Sequence, residues 1–250
     1  MKRKIISIIL GLLPLTVFLL LWQFVISTTE KKLFLFSSPS KVFHSLIENI
    51  SNGILPRDIF ITGQEAIYGF LIGNICGAAI GLSLWYSKRV ADLTRPYIIA
   101  IGAIPIFSIA PMMIMWFGTG MYAKVIMAAL STVVIAITQS YEGARQVDVQ
   151  QIKLFHSFGA SRTQIFSKLI VPSSLVWLFN SLKLNISFAL LGAFIAEFIS
   201  AHEGLGHRVF KAGGTYDVSL VLAAVICIIL LALLFSRIIY LFEKTLLKWK

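Results

Sequence analysis

DVQQIKLFHSFGASRTQIFSKLIVPSS, residues 148–174, is a polar island between two segments apolar enough to cross a bilayer, and its reading decides the fold. Asp148 followed by Gln151, and Ser161 followed by Gln164, have the spacing of a capping box. In that motif a side-chain oxygen and an amide side chain satisfy the free N–H groups of a helix start. Gly159, just before the second cap, has no Cβ to resist the left-handed backbone that ends a helix. Pro172 is expected to close the second helix, with Ser173 or Ser174 capping whatever follows. The island therefore predicts two short helices hinged at Gly159. A capped helical hairpin lying on the membrane surface, with Phe155 and Phe158 dipping toward lipid, has the same signature.

The flanks fit a membrane protein. Of the 250 residues, 58% are hydrophobic and 13% charged, and the mean hydropathy is +0.87. A soluble domain carries roughly 45–50% apolar and about 25% charged residues. The net charge of +11 would suggest nucleic acid in a soluble chain. Here the basic residues are not interleaved with stacking aromatics, so no nucleic-acid partner is expected, and the charges are read as topology signals. Cys76 and Cys227 lie inside apolar runs as small hydrophobes, with neither disulfide nor metal role expected.

Working outward, the expected class is all-α, a polytopic membrane protein with about six transmembrane helices. The first runs from Ile5 to Ile26 behind Lys2, Arg3 and Lys4. It is longer than a signal peptide's apolar core and lacks a cleavage site, so it is read as a retained span. Residues 27–62 are mixed, with a short amphipathic helix capped by Ser40 and lying along the membrane surface; His44 is on its solvated face. The second span, about Gly63 to Tyr86, carries Gly69, Gly73, Gly77 and Gly81 at four-residue spacing, which lets another helix backbone come close. Glu65 is placed near its outer end, within reach of water. The third, Pro96 to about Phe117, contains Pro105 and Pro111, each removing a backbone hydrogen bond. It is expected to be kinked or broken, for packing or to line a pathway.

The fourth span runs from about Tyr122 to Tyr141, with Lys124 snorkelling at its outer end. Leu175 to Ile199 form the fifth, which contains Asn180, Lys183, Asn185 and Glu197. Mid-span polar residues are costly and usually face a bundle interior or a water path, although Lys183 is close enough to the end to snorkel. Residues 200–217 are read as an outer loop. Its His202, Glu203 and His207 do not suggest a metal site, since the histidines are five apart and two glycines intervene. The sixth span runs from about Val218 to Tyr240. The N-terminal piece 1–60 is thus set apart from a transmembrane domain over 61–245 that includes the polar loop 142–173.

Six spans put both termini on one side. That side receives Lys2, Arg3, Lys4, Lys88, Arg89, Arg95, Arg145, Lys153, Arg162, Lys168, Lys244, Lys248 and Lys250. The other receives Lys31, Lys32, Lys41, Arg57, Arg208 and Lys211. The bias of roughly two to one makes the first side, and the island, cytoplasmic.

The island also resembles a known family. Gly159, Leu169, Val171 and Pro172 fit the second half of the "EAA" signature of bacterial ABC importer permeases: Glu-Ala-Ala, three residues, Gly, nine residues, Ile, one residue, Leu-Pro. FGASRTQIFSKLIVP is similar to the form in the nitrate/sulfonate/taurine branch, as are the proline-rich third span ending Trp-Phe-Gly, the Ala-Glu at Glu197 and the later Gly-Leu-Gly. The first half departs, with Lys153, Leu154 and Phe155 standing where Glu-Ala-Ala would be.

The resemblance implies a permease subunit working as a homodimer in the inner membrane, embedded in lipid, without cofactor or catalytic residues. It implies a coupling helix at Lys153, Leu154, Phe155, Phe158, Gly159, Ala160 and Ser161, completed by Pro172, that docks a cytoplasmic ATPase. An extracytoplasmic solute-binding protein would deliver a small anion or organic solute such as nitrate, a sulfonate or a thiamine precursor. Pro105, Pro111, Asn180, Lys183, Asn185 and Glu197 are the pathway candidates. No phosphate-binding loop of the form GxxxxGK[ST] occurs, so ATP hydrolysis is assigned to a partner. The competing readings are an ion-gradient-driven secondary transporter using Lys183 and Glu197, and a membrane enzyme using His156, His202 or His207. The first expects an inverted repeat that the sequence does not display; the second needs histidines that the topology puts on opposite sides.

Overall fold

The computed structural model describes the backbone of residues 2–200 and 202–246, with side chains from 13 to 200 and 202 to 245. The terminal basic residues Lys2, Arg3, Lys4, Lys248 and Lys250 lie outside the described side chains. Every described element is helical: α1 Lys2–Ile26, α2 Glu30–Phe36, α3 Pro39–Ser51, α4 Ile54–Ser83, α5 Lys88–Gly102, α6 Ile106–Phe117, α7 Met121–Arg145, α8 Val149–Ser157, α9 Arg162–Ile165, α10 Val171–Ser200, α11 Leu205–Gly214 and α12 Val218–Leu246. Among the described residues, four helical stretches are long and apolar enough to span a bilayer, and the bent pair α5–α6 makes up to five. The stretch of α1 with described side chains, Leu13–Ile26, is a shorter apolar helix.

The core of the bundle is α7, gripped by α4 on one side and α10 on the other. The α4 glycines make this possible. A Cβ at Gly69, Gly73, Gly77 or Gly81 would strike α7 main chain, at the carbonyls of Val125, Ala129, Val133 and Ile137 respectively. Opposite them α7 presents Ala128, Thr132, Ala136 and Ser140, small residues at the same spacing and all buried. Two backbones in near contact replace the hydrophobic drive that lipid cannot supply. Gly192 of α10 meets the other flank of α7, against Met127 and Ala128.

Several boundaries differ from the expected ones. The second span begins at Ile54 instead of Gly63, and the acid that this adds to it, Asp58, is paired with Arg208 of α11. The proline-rich third span is broken, with α5 and α6 meeting at 87° where Pro105 caps α6. Ser38, not Ser40, caps α3, its hydroxyl accepting from the Lys41 N–H with Pro39 in the first turn. Residues 205–214, expected as loop, form α11. Pro172 does not close a helix. The chain runs helically from Arg162 to Ser200, and a π-helical turn over Phe166–Ile170 widens the spiral just before the proline. There the Val171 N–H bonds to the Phe166 carbonyl, five residues back, so the missing N–H of Pro172 falls where the ladder is already rearranged. Ser174 caps nothing; its hydroxyl donates to the Ile170 carbonyl.

Candidate functional site

The polar island folds into a knuckle at one end of the bundle. Asp148 caps α8 through the Gln150 N–H at 2.8 Å, so the expected Asp148–Gln151 box is only half made. The second box is complete: Ser161 accepts from the Gln164 N–H at 3.3 Å, and the Gln164 side chain accepts from the Ser161 N–H at 2.7 Å. Between them Gly159 has φ +73°. Nothing lies within 4 Å of where its Cβ would be, so backbone geometry alone requires glycine there.

The underside of the knuckle is fastened to two span ends, those of α4 and α7. Ile165, Leu169 and Ile170 are buried against Leu82, Ala144 and Val147, with Phe155 and Ala160 packed on. Arg162 donates to the Tyr86 carbonyl, and its guanidinium stands 5.5 Å from the Trp85 ring centre and 5.6 Å from that of Tyr86. The outward side is bare. Leu154 is 53% exposed and Phe158 80%, and Lys153 and Ser161 are exposed as well.

The opposite end is closed by a buried polar lock. The first three N–H groups of α11 have no partners within their own helix. They donate to side chains of other helices: Gly204 to Asp58 Oδ1 at 3.1 Å, Leu205 to Thr62 Oγ1 at 2.9 Å, and Gly206 to Glu197 Oε2 at 2.7 Å. The Thr62 hydroxyl donates in turn to Glu197 Oε1 at 2.7 Å, and Arg208 Nε to Asp58 Oδ2 at 2.7 Å. Side-chain oxygens aimed at a helix N-terminus satisfy its free N–H groups, and a carboxylate such as Asp58 is favoured there by the helix dipole as well. The Gly-Leu-Gly sequence is required sterically: a Cβ at Gly204 would collide with the Glu197 carboxylate, and one at Gly206 with α10 main chain. Lys124 and Glu65 pair at 2.7 Å, 8% and 2% exposed, so the expected snorkelling lysine and water-reached glutamate are instead joined inside the bundle. Burial and the neighbouring Arg208 cation push His207 below its ordinary pKa, which favours the neutral ring beside this lock.

The pathway candidates lie in different surroundings. Asn185 is buried and donates to Asn74 Oδ1 at 2.6 Å, a cross-link between α10 and α4. Glu197 belongs to the lock. Lys183 is partly exposed and pairs with Glu243 of α12 at 2.5 Å. Pro105, Pro111 and Asn180 are exposed. Among the described residues no group of His, Cys, Asp and Glu is arranged to hold a metal ion. Asp58, Thr62, Lys124 and Arg208 are interior partners that the sequence reading missed. Their signal was the spacing of Asp58, Thr62 and Glu65 along one face of an otherwise apolar helix.

These features define a polytopic helical membrane protein with a capped external knuckle. The sequence profile of the binding-protein-dependent transport system inner membrane component family matches residues 69–248, and the chain belongs to that family. It is similar to the riboflavin transport system permease protein RibX of Chloroflexus aurantiacus, 29% identical over 240 residues, which are 95% of this chain and 90% of that one. The formylaminopyrimidine transport permease protein ThiX of Halalkalibacterium halodurans is 29% identical over 73% of each chain. The putative aliphatic sulfonates transport permease protein SsuC of Bacillus subtilis is 26% identical over 96% of this chain and 87% of that one. Among solved structures, an inward facing form of the MetNI methionine ABC transporter superimposes with a TM-score of 0.62 at 18% identity, covering 76% of this chain and 96% of that one, which shows a shared fold. The chain is thus the permease subunit of an ABC importer. Family membership implies an ATPase partner, a substrate-binding protein and residence in the inner membrane.

Proposed function

We propose that the knuckle is where this permease receives mechanical work: Lys153, Leu154, Phe155, Phe158, Gly159, Ala160 and Ser161 dock a separate cytoplasmic ATPase, and Pro172 marks the seam between knuckle and span. Both termini then face the cytoplasm, two copies of the chain enclose the solute path, and an extracytoplasmic binding protein delivers the solute. The observation that carries the reading is the asymmetry of the knuckle. Its underside is packed into the ends of α4 and α7 while the Phe158 ring stands 80% exposed at its tip. A push on such a tip moves the spans as a body, which is what coupling by rigid-body rotation needs.

The cargo is read as a small anion or organic solute of the kind named for the relatives, a sulfonate or a thiamine-precursor pyrimidine foremost. The path follows the broken pair α5–α6 and the first half of α10, where Pro105, Pro111, Asn180 and Lys183 are accessible. Asn185 and Glu197 reach it only if α4 and α10 part, since both are held in cross-helix hydrogen bonds. The test is co-purification with candidate ATPases, followed by ligand screening on the binding protein. Leu154→Ala/Phe158→Ala is expected to lose the ATPase while inserting normally. Undiminished complex, or transport of solute by the permease with no nucleotidase present, refutes the reading.

A further inference from the structure

Beside the knuckle, where α4 and α7 end, lies a cleft of about 340 Å³ between α5, α7 and the start of α8. Lys88 and Arg95 of α5 and Arg145 of α7 line it, against a single acid, Asp92. All four side chains are exposed; Arg145 pairs with Glu142 at 3.8 Å, whereas among the described residues Lys88 and Arg95 have no ion-pair partner. Lys88 opens α5, whose first turn has no acidic residue. A cation there opposes the positive end of the helix dipole, so the cleft mouth gathers uncompensated positive charge. Trp85 and Tyr141 form part of its wall, as aromatic rings do at the level of lipid headgroups.

The outer side of α5 states what kind of anion fits. Lys88, Asp92 and Arg95 recur at helical spacing on the cleft face. Val90, Leu93 and Tyr97 form the adjacent stripe, 48%, 71% and 69% exposed. A helix with a basic stripe beside an exposed apolar stripe lies in the headgroup boundary, acyl chains against one face and phosphates against the other. Basic pockets between spans on the cytoplasmic side bind anionic headgroups on this principle. We propose that the cleft binds the phosphate of an anionic phospholipid, of the phosphatidylglycerol type, between Lys88, Arg95 and Arg145. The lipid would brace the seam between the knuckle and α5, because Val149 and Ile152 of α8 line the same cleft. Only the choice of leaflet rests on the reading of the knuckle as cytoplasmic.

The test is native mass spectrometry of the full-length permease released from nanodiscs of phosphatidylcholine doped with phosphatidylglycerol. Wild type is expected to retain phosphatidylglycerol selectively. Removing a basic residue near the surface weakens anionic-lipid binding roughly fivefold, so Lys88→Gln/Arg95→Gln should weaken it about 25-fold. The charge-matched control Lys31→Gln/Lys211→Gln should retain it. Equal loss in the control, or none in the cleft variant, overturns the proposal. So does displacement by inorganic phosphate at matched concentration, which would make a free anion the ligand. If the cleft variant keeps its lipid but no longer binds the ATPase, the cleft belongs to that interface and the lipid assignment falls. Leaflet is read separately by labelling Arg89→Cys in a Cys76→Ser/Cys227→Ala background with a membrane-impermeant maleimide. Reaction from outside would refute the cytoplasmic placement of the knuckle while leaving lipid selectivity intact.

Discussion

The two ends of this bundle are held by different kinds of bond. At the knuckle the polar contacts are mostly local: Ser161 with Gln164 and Asp148 with Gln150. At the opposite end they join residues far apart in sequence, Thr62 to Glu197, Asp58 to Arg208 and Glu65 to Lys124. Local caps build a rigid element that leaves its tip bare for another surface. Long-range buried bonds close an end on itself and make its position conditional on the packing of four helices. The contrast teaches that rigidity and exposure coexist where hydrogen bonds are satisfied within a few residues, whereas buried charge demands a completed tertiary shell.

The severest way to break the contrast is Lys124→Met. It strands the Glu65 carboxylate inside the bundle and should cost about 3–5 kcal/mol, with much of that loss recovered in Lys124→Met/Glu65→Leu. Thermal unfolding in detergent measures both, and a single variant as stable as wild type would mean that Glu65 finds water. Next in size is Gly73→Val, whose side chain strikes Thr132 and the Ala129 carbonyl. Forcing α4 from α7 should cost about 1–3 kcal/mol or more in the same assay. Gly159→Val should cost only about 1–2 kcal/mol, since φ is its one constraint, yet it should abolish ATPase docking. Gly159→Asn, which tolerates that φ, should retain docking; equal loss in both variants would point to a side-chain clash at the docking surface instead of a backbone requirement. Smallest is Phe158→Ala, expected within about 0.5 kcal/mol of wild type because the ring is exposed, with complex formation reduced. A large drop in stability from Phe158→Ala would show that the tip is structural after all.

The knuckle was legible in the sequence because capping, glycine hinge and polar composition are local signals. Ser161, Gln164 and Gly159 stand as their spacing predicts. Pro172 was misread because the rule that proline stops a helix assumes a regular ladder, and the π-helical turn before it shifts that ladder. The lock was not legible in the same way. Glu65 and Lys124, each taken alone near a span end, look like residues reaching for water; only their 2.7 Å meeting makes both interior.

By itself the sequence determined the helical class, the membrane setting, an interruption in the proline-bearing third span and the glycine face of α4. Each depends on periodicity or backbone chemistry within one segment. Tertiary structure alone decided which small-residue face receives the glycines, where the second span begins, and that Asp58, Thr62 and Glu197 cap α11 from outside its own helix. The physical reason is that a buried charge or unpaired N–H is stable only beside its partner. Those partners lie 135 or more residues away for Thr62 with Glu197 and for Asp58 with Arg208, a separation that local pattern does not encode.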